Sequence, residues 1–142
     1  MLLLINKLST ATLLLLLSLM LQGCFFGVFS NDTLVKIDSQ RSTNQGKPLY
    51  VFIKEVEKTQ FLTDTYTEVA KEAADPDSIH LLSTSLLPGI RRKFNLQPQS
   101  KAKYLGVYFI YTNPRGDWKF CADSSKKKIR VSLGENEIQS WR

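Results

Sequence analysis

The sequence predicts a mainly β protein, a two-sheet β-sandwich of seven to eight strands with one short inserted helix. Short runs of alternating apolar and polar residues recur from residue 33 to residue 141, and turn-forming residues separate them. Only one segment, near residues 65–74, has apolar residues at helical spacing. The 142-residue chain is long enough for one domain, and many short strands with one helix are typical of a sandwich.

The first 30 residues have the organisation of an export signal. Residues 1–10 carry a single charged side chain, Lys7, and residues 11–21 are almost wholly apolar. Gly23 lies directly before Cys24 and Leu21 lies three places before it, an arrangement that resembles the lipobox of bacterial lipoproteins. We therefore expect Cys24 to be the lipidated first residue of the mature protein.

Cleavage before this cysteine defines the predicted boundaries. Residues 1–23 are a lipoprotein signal peptide, residues 24–32 are the acylated N-terminus and tether, and residues 33–142 are the β-sandwich domain. An uncleaved membrane anchor is the alternative. It is physically allowed because no charged residue occurs between Leu8 and Ser30, and about 20 apolar residues can span a bilayer.

Two strands and a polar loop open the predicted domain. Residues 33–37 have the composition of a first strand, and residues 38–48 are polar and end in Gly46, Lys47 and Pro48, which is typical of an exposed loop. Residues 49–56 are rich in β-branched and aromatic side chains. This segment is too apolar to be exposed on both faces, which predicts a central strand.

The helical segment follows this strand. Apolar residues recur at helical spacing through Tyr66, Val69 and Ala73, and Thr65 with Glu68 forms a capping-box pattern. Because Pro76 cannot continue a helix, we predict one short helix over residues 65–74.

Strand patterns resume after Pro76. A Pro88-Gly89 turn separates two predicted strands, and residues 113–116 turn the strongest strand back as a hairpin. A cleanly alternating strand and an edge strand complete the domain. The predicted strands after the helix are residues 80–86, 90–96, 103–112, 117–122, 128–133 and 137–141.

Charge is unevenly distributed along the chain. There are 19 Lys and Arg against 13 Asp and Glu, and from Arg91 onward 12 residues are basic and 4 acidic. Such a basic half can meet an acidic protein, anionic lipid or nucleic acid, the last being least expected for an exported protein. Arg91, Arg92 and Lys93 lie in an alternating strand, which splits their charges between faces.

A second basic cluster precedes a predicted strand. Lys126, Lys127 and Lys128 form a secondary basic loop that is a candidate partner-binding element. Solvated charge that deters edge-to-edge pairing of strands is the alternative interpretation of both basic clusters.

The sequence lacks the residue patterns of an enzyme. Its one histidine is His80, and no HExxH, CxxC or GxSxG motif or phosphate-binding glycine loop is present. We predict no catalytic residue, no metal site and no cofactor other than the covalent lipid on Cys24. With Cys24 lipidated, Cys121 has no intrachain partner and is expected to be a buried, inert thiol.

The order of these features resembles one lipoprotein family. The features are Cys24, the loop ending in Gly46 to Pro48, strand 49–56, residues 61–64, residues 87–89, and residues 104–107 followed by Asp117 and Trp118. Taken in this order they are similar to the outer-membrane lipoprotein of the type VI secretion system, called TssJ, SciN or VasD, with the IglE-type lipoproteins as distant relatives.

The resemblance implies a fold, a partner and a contact loop. The fold is a transthyretin-like β-sandwich tethered to the outer membrane and facing the periplasm, and the partner is the periplasmic domain of the inner-membrane protein TssM. Phe25, in place of an aspartate that favours inner-membrane retention in many Gram-negative bacteria, is consistent with the outer membrane.

In that family the loop between the first two strands contacts the partner, and here this loop is residues 38–47. Such a loop is expected to carry little of the core. Arg41 and Lys47 offer charge-assisted contacts, and Asn44 and Gln45 offer adaptable hydrogen bonds. The predicted partner-binding residues are Gln40, Arg41, Ser42, Thr43, Asn44, Gln45 and Lys47.

Two other functions fit the same sequence. A periplasm-facing ligand-binding or inhibitor module would have a concave apolar pocket at the end of a sheet. A surface adhesion module would expose the basic half to acidic glycans.

Overall fold

The computed structural model describes residues 31–99 and 102–142. The signal peptide 1–23, Cys24 and the tether up to residue 30 lie outside the described residues. Asn31 and Asp32 lead directly into the first strand. Neither helix of the described part is long and apolar enough to cross a membrane.

Eight strands form two four-stranded sheets, which confirms the predicted mainly β sandwich. All eight predicted strands are present, with ends that differ by a few residues. The strands are β1 (Thr33–Ser39), β2 (Leu49–Val56), β3 (Leu82–Leu86), β4 (Arg91–Leu96), β5 (Tyr104–Ile110), β6 (Lys119–Asp123), β7 (Lys128–Leu133) and β8 (Ile138–Trp141).

The first sheet has the order β4-β1-β7-β8 and the second the order β3-β2-β5-β6. Strand β1 lies between β4, to which it is antiparallel, and β7, to which it is parallel. The second sheet is antiparallel throughout, with β2 and β5 in its interior. The interior position of β2 confirms the prediction of a central strand there.

The core lies between the two sheets and is built from one face of each strand. Val35 and Ile37 of β1, and Val51 and Ile53 of β2, are fully buried. Alternate residues of a strand point to opposite faces, so this pattern directs the intervening side chains outward. Apolar burial of this kind is the main favourable contribution to folding.

Two helices follow β2, where the sequence predicts one. Helix α1 spans Lys58–Thr63 and helix α2 spans Tyr66–Ala74. The capping box is confirmed, because the Thr65 side chain accepts a hydrogen bond from the Glu68 backbone N–H and the Glu68 carboxylate accepts one from that of Thr65. Helix α1 is an addition to the prediction, and it has no buried residue to mark it in the sequence.

Both helices lie against the outer face of the second sheet. Val69 of α2 packs with Phe52 and Tyr108, and Phe61 of α1 and Trp118 contact the same cluster. This second, smaller core explains why β2 and β5 are buried on both faces. The outer face of one sheet is therefore covered, while that of the other sheet has no described helix on it.

Polar contacts also hold the helices to the sheet. Lys54 is 4% exposed, and its Nζ lies 2.6 Å from Glu72 Oε2 and 3.5 Å from Asp64 Oδ2. Lys119 Nζ donates to the carbonyl oxygens of Phe61 and Asp64, each at 2.7 Å. These carbonyls belong to the C-terminal end of α1, where a cation is favourable.

Candidate functional site

The predicted partner-binding loop lies at one end of the sandwich, opposite the point where the chain enters it. Strand β1 starts at Thr33 and ends at Ser39, and the loop begins with the next residue. A strand of seven residues is about 20 Å long. The loop is therefore about 20 Å from the end at which any N-terminal tether must join the domain.

The backbone of this loop has an unusual conformation. Thr43–Gly46 forms a 3₁₀ segment in which Asn44, Gln45 and Gly46 have φ angles of 52°, 57° and 76°. These angles lie in the left-handed region, which asparagine tolerates better than most residues and glycine adopts freely. Gln45 is the strained member, because it has neither advantage.

Asn44 connects this segment to the rest of the fold. Its side chain is buried, and its Nδ2 donates to the Pro48 carbonyl oxygen at 2.7 Å and to that of Lys47 at 3.3 Å. Its Oδ1 accepts from the Thr112 backbone N–H at 2.7 Å, just after β5. Its own N–H donates to the Glu135 carbonyl oxygen at 2.7 Å, between β7 and β8.

Two of the predicted contact residues are consequently part of the framework. Thr43 and Asn44 are 0% and 1% exposed, and Thr43 Oγ1 accepts from the Gln40 N–H at 2.9 Å. The expectation that Asn44 offers adaptable hydrogen bonds is wrong, because those bonds are already made inside the protein. The expectation that this loop contributes little to the core is wrong for the same reason.

The other predicted residues of the loop are on the surface. They are Gln40, Arg41, Ser42, Gln45 and Lys47. Two of these exposed loop residues carry a positive charge, Arg41 and Lys47. That these exposed residues bind a partner remains a prediction.

The turn between β3 and β4 packs beside this loop. The Gly89 N–H donates to the Gln40 carbonyl oxygen at 3.0 Å, and Ser39 Oγ donates to the Ile90 carbonyl oxygen at 3.0 Å. A Cβ at Gly89, whose φ is +78°, would lie 3.0 Å from Arg41 Cγ, so the turn approaches Arg41 closely. Leu87 and Ile90 are 57% and 42% exposed on the same turn.

These two apolar residues were not predicted as site residues. The Pro88-Gly89 turn between them is visible in the sequence, but its position beside the first loop depends on the pairing of β1 with β4. The turn that carries Leu87 and Ile90 lies beside Arg41. We use the name loop-end surface for the exposed loop residues together with Leu87 and Ile90. A mixture of apolar and cationic side chains is common at protein interfaces.

The secondary basic loop lies at the other end of the sandwich. Thr33 Oγ1 donates to the Lys126 carbonyl oxygen at 2.9 Å, and the Leu34 N–H donates to that of Lys127 at 2.9 Å. Lys126 Nζ lies 5.2 Å from the Trp141 ring centroid, and Lys128 is the first residue of β7. The structure therefore separates the two predicted binding elements by the length of a strand.

Two described side chains, His80 and Cys121, carry groups that can be reactive in proteins. His80 is exposed, and its Nδ1 lies 3.1 Å from Ser78 Oγ and 2.9 Å from the Ser78 carbonyl oxygen, so it takes part in a local turn. Cys121 is half-buried where full burial was expected, and burial raises the pKa of its thiol. In the described ranges, His, Cys, Asp and Glu side chains form no group of three that could hold a metal ion.

The fold is that of known secretion proteins. The chain matches the type VI secretion lipoprotein TssJ1 of Pseudomonas aeruginosa with a TM-score of 0.65 and 19% identity, over 78% of this chain and 95% of that one. It matches Lip of Serratia marcescens, a membrane-bound component of the type VI secretion system, with a TM-score of 0.61 and 17% identity, over 76% and 95%. The TM-scores establish a shared fold, and at these identities the matches show the fold alone.

A third structural match concerns the same secretion system. A chain in the structure of the T6SS protein TssM C-terminal domain (869–1107) from EAEC is similar with a TM-score of 0.64 and 15% identity, over 76% of this chain and 95% of that one. No curated protein sequence matches the chain.

A sequence-family match adds the assignment that fold similarity alone does not provide. The model of the IglE N-terminal domain matches residues 50–133, which is more than half of the chain. This range runs from the second residue of β2 to the end of β7, so it includes both helices and every strand except β1 and β8. The chain therefore belongs to the IglE N-terminal domain family.

Proposed function

We propose that this protein is an outer-membrane-anchored lipoprotein of a type VI secretion membrane complex and binds the periplasmic domain of a TssM-like inner-membrane protein. The family assignment and the TssJ-like fold support this function. The observation that carries it is the position of the loop-end surface, at the opposite end of β1 from the start of the domain.

This geometry suits a protein that connects two membranes. A lipid on Cys24 would attach the domain to the membrane through the Thr33 end of β1, since eight residues separate the two positions. The loop-end surface lies at the other end of this strand, about 20 Å from the point of attachment. Several acyl chains hold a protein at a membrane far more firmly than one chain does, which suits an anchor under mechanical load.

The partner contact is tested with substitutions that leave the framework of the loop intact. We expect Arg41→Glu/Lys47→Glu to reduce affinity for the periplasmic domain of the TssM-like protein by about tenfold or more, because two favourable charge contacts become repulsive. Isothermal titration calorimetry with the full chain in a neutral detergent measures the affinity, and thermal unfolding verifies that the variant is folded.

A matched control changes two charges at the other end of the sandwich. Lys126→Glu/Lys127→Glu alters the net charge equally and is expected to bind almost as well as the wild type. Loss of binding only in this second variant would transfer the contact to the secondary basic loop. Equal affinity in all three proteins would contradict a charge-assisted contact at either end.

The anchor is tested separately. Wild-type protein grown with labelled palmitate should carry the label and fractionate with the outer membrane, whereas Cys24→Ser should remain a longer, unlabelled precursor. An unlabelled wild type with the same electrophoretic mobility as the variant would show that residues 1–30 are an uncleaved anchor.

A further inference from the structure

The outer face of the first sheet carries a row of positive charges that crosses β4, β1 and β7 and continues to the residue after β8. Lys36 of β1 pairs with Lys93 of β4 on one side and with Arg130 of β7 on the other. Beyond Arg130, the backbone of Arg142 exchanges two hydrogen bonds with that of Arg130, of 2.8 and 3.0 Å. We call these four residues, Lys93, Lys36, Arg130 and Arg142, the cation row.

The strand pattern directs the cation row away from the core. The neighbours of Lys36 in β1, Val35 and Ile37, are fully buried, and the neighbours of Arg130 in β7, Ile129 and Val131, are buried as well. Alternate residues of a strand lie on opposite faces, so the charged side chains project outward. The helices lie on the other sheet and do not cover this face.

Further cationic side chains lie next to the row, together with the carboxylate of Asp38. Lys128 and Arg91 lie on the same face in the adjacent rows, and Asp38 forms an ion pair with Arg91 Nε. The nearby charges of Lys128 and then Lys93 hold the pKa of Lys36 below its usual value. This face therefore carries uncompensated like charge, which an anionic ligand would neutralise.

We propose that the cation row binds an extended acidic segment of a partner protein. Adjacent strands are about 4.8 Å apart, so four cations in one row span about 14 Å. An extended chain rises about 3.4 Å per residue, so carboxylates at its first, third and fifth positions also span about 14 Å. The length of the row thus fits a five-residue segment with alternate acidic side chains.

The shape and composition of the face favour a peptide over a membrane surface. The cation row borders a depression of about 560 Å³, which is also lined by Ser132, Ser140 and Trp141. A peptide can insert side chains into a depression and bond to hydroxyls, whereas a layer of lipid head groups meets mainly projecting charges. Arginine side chains, such as that of Arg130, bind carboxylates in a bidentate manner.

This binding surface is separate from the loop-end surface and does not depend on the function proposed above. The probe is a fluorescein-labelled peptide, Gly-Glu-Thr-Glu-Thr-Glu-Gly, titrated with the full chain in a neutral detergent and followed by fluorescence anisotropy. We expect Lys36→Gln/Arg130→Gln to weaken binding about tenfold or more, because it removes the two inner cations of the row.

Two controls distinguish the row from general attraction between opposite charges. Lys58→Gln/Lys71→Gln removes the same charge from the helices on the other sheet and should leave binding within about twofold of the wild type. A peptide with the same composition but three consecutive glutamates should bind more weakly than the alternating one. Equal losses in both double variants, or equal affinity for both peptides, would overturn the proposal.

The membrane surface is the competing occupant, and it is tested with a lipid. Phosphatidylglycerol mixed into the micelles should leave the amide hydrogen exchange of β1 and β7 unchanged, whereas the alternating peptide should slow it. If the lipid slowed the exchange and the peptide left it unchanged, the proposal would be overturned in favour of a membrane surface. Circular dichroism and the melting temperature verify that every variant is folded.

Discussion

Asn44 Oδ1 accepts a 2.7 Å hydrogen bond from the backbone N–H of Thr112, which joins the loop after β1 to the end of β5. These residues are 68 positions apart in the sequence. The bond connects the loop that follows a strand of the first sheet to the segment just after a strand of the second. The conformation of the loop-end surface therefore depends on a buried amide and not only on its exposed residues.

Asn44→Ala should destabilise the protein strongly. The substitution leaves the Thr112 N–H and the Pro48 carbonyl oxygen without their partner and places alanine at a φ of 52°. We expect a loss of about 2–4 kcal/mol in the free energy of unfolding, measured by urea denaturation. Gln45→Gly is the control and should stabilise by about 0.5–1 kcal/mol, because this exposed residue has a φ of 57°. If Asn44→Ala lowered the free energy of unfolding no more than a substitution at an exposed position does, the structural role of the Asn44 side chain would be contradicted.

Gly106→Val should destabilise through overpacking. A Cβ at Gly106 would lie 2.6 Å from Tyr108 Oη and 2.7 Å from its Cε2, and the buried Tyr108 is held by a hydrogen bond to Asp64. The close approach comes from the ring of the same strand, and the ladder is regular there, so this glycine does not mark a bulge. We expect a cost of about 1–3 kcal/mol, measured as a lower melting temperature.

A second variant tests whether Tyr108 causes this cost. In a Tyr108→Leu background the same Gly106→Val substitution should cost less, because the smaller side chain no longer extends over position 106. Equal costs in both backgrounds would show that another contact limits position 106.

Lys54→Met should destabilise by about 3 kcal/mol or more. The substitution removes the cation between Glu72 and Asp64 and leaves a carboxylate in a largely buried site. A double-mutant cycle with Glu72→Gln measures the coupling, and we expect the double variant to lose less than the sum of the two single variants. If the two losses in the free energy of unfolding were additive, the Lys54–Glu72 ion pair would make no direct contribution to stability.

Alkaline pH should unfold the protein in step with the ionisation of its buried tyrosines. Burial is the main cause that raises the pKa of Tyr66, Tyr108 and Tyr111, and the hydrogen bond to Asp64 adds to it at Tyr108. A pKa raised by folding gives stability that is complete below the unfolded value of about 10 and is lost as pH rises above it. Phenolate absorbance and circular dichroism should therefore change together above about pH 10.

Tyr111→Phe is the control for this pH dependence. The variant removes one group with a raised pKa, and the Glu137 carbonyl oxygen loses the 2.9 Å hydrogen bond from the Tyr111 hydroxyl. Stability should be lower near neutral pH and fall less steeply above pH 10. Ionisation of all five tyrosines in a folded protein would contradict the prediction.

Local sequence patterns were sufficient to predict each strand and the main helix. Thr65 and Glu68 cap α2 as their spacing indicates, and the continuous apolar run of β2 is buried on both faces. These features depend on side-chain periodicity and on hydrogen bonds within a few residues, so they can be recognised without knowledge of the fold. Helix α1 was missed because it is only six residues long and has no fully buried residue, so Phe61 alone marks its apolar side.

The sequence by itself determined the class of fold, the family resemblance and the identity of the exposed charged loop, and only the tertiary structure decided how distant segments combine. The cation row depends on the register that sets Lys36 beside Lys93 and Arg130, a pairing of segments separated by more than 50 residues. The burial of Asn44 depends in the same way on Thr112 and Glu135. Strand order and register arise from packing of the whole core, and no local pattern encodes them.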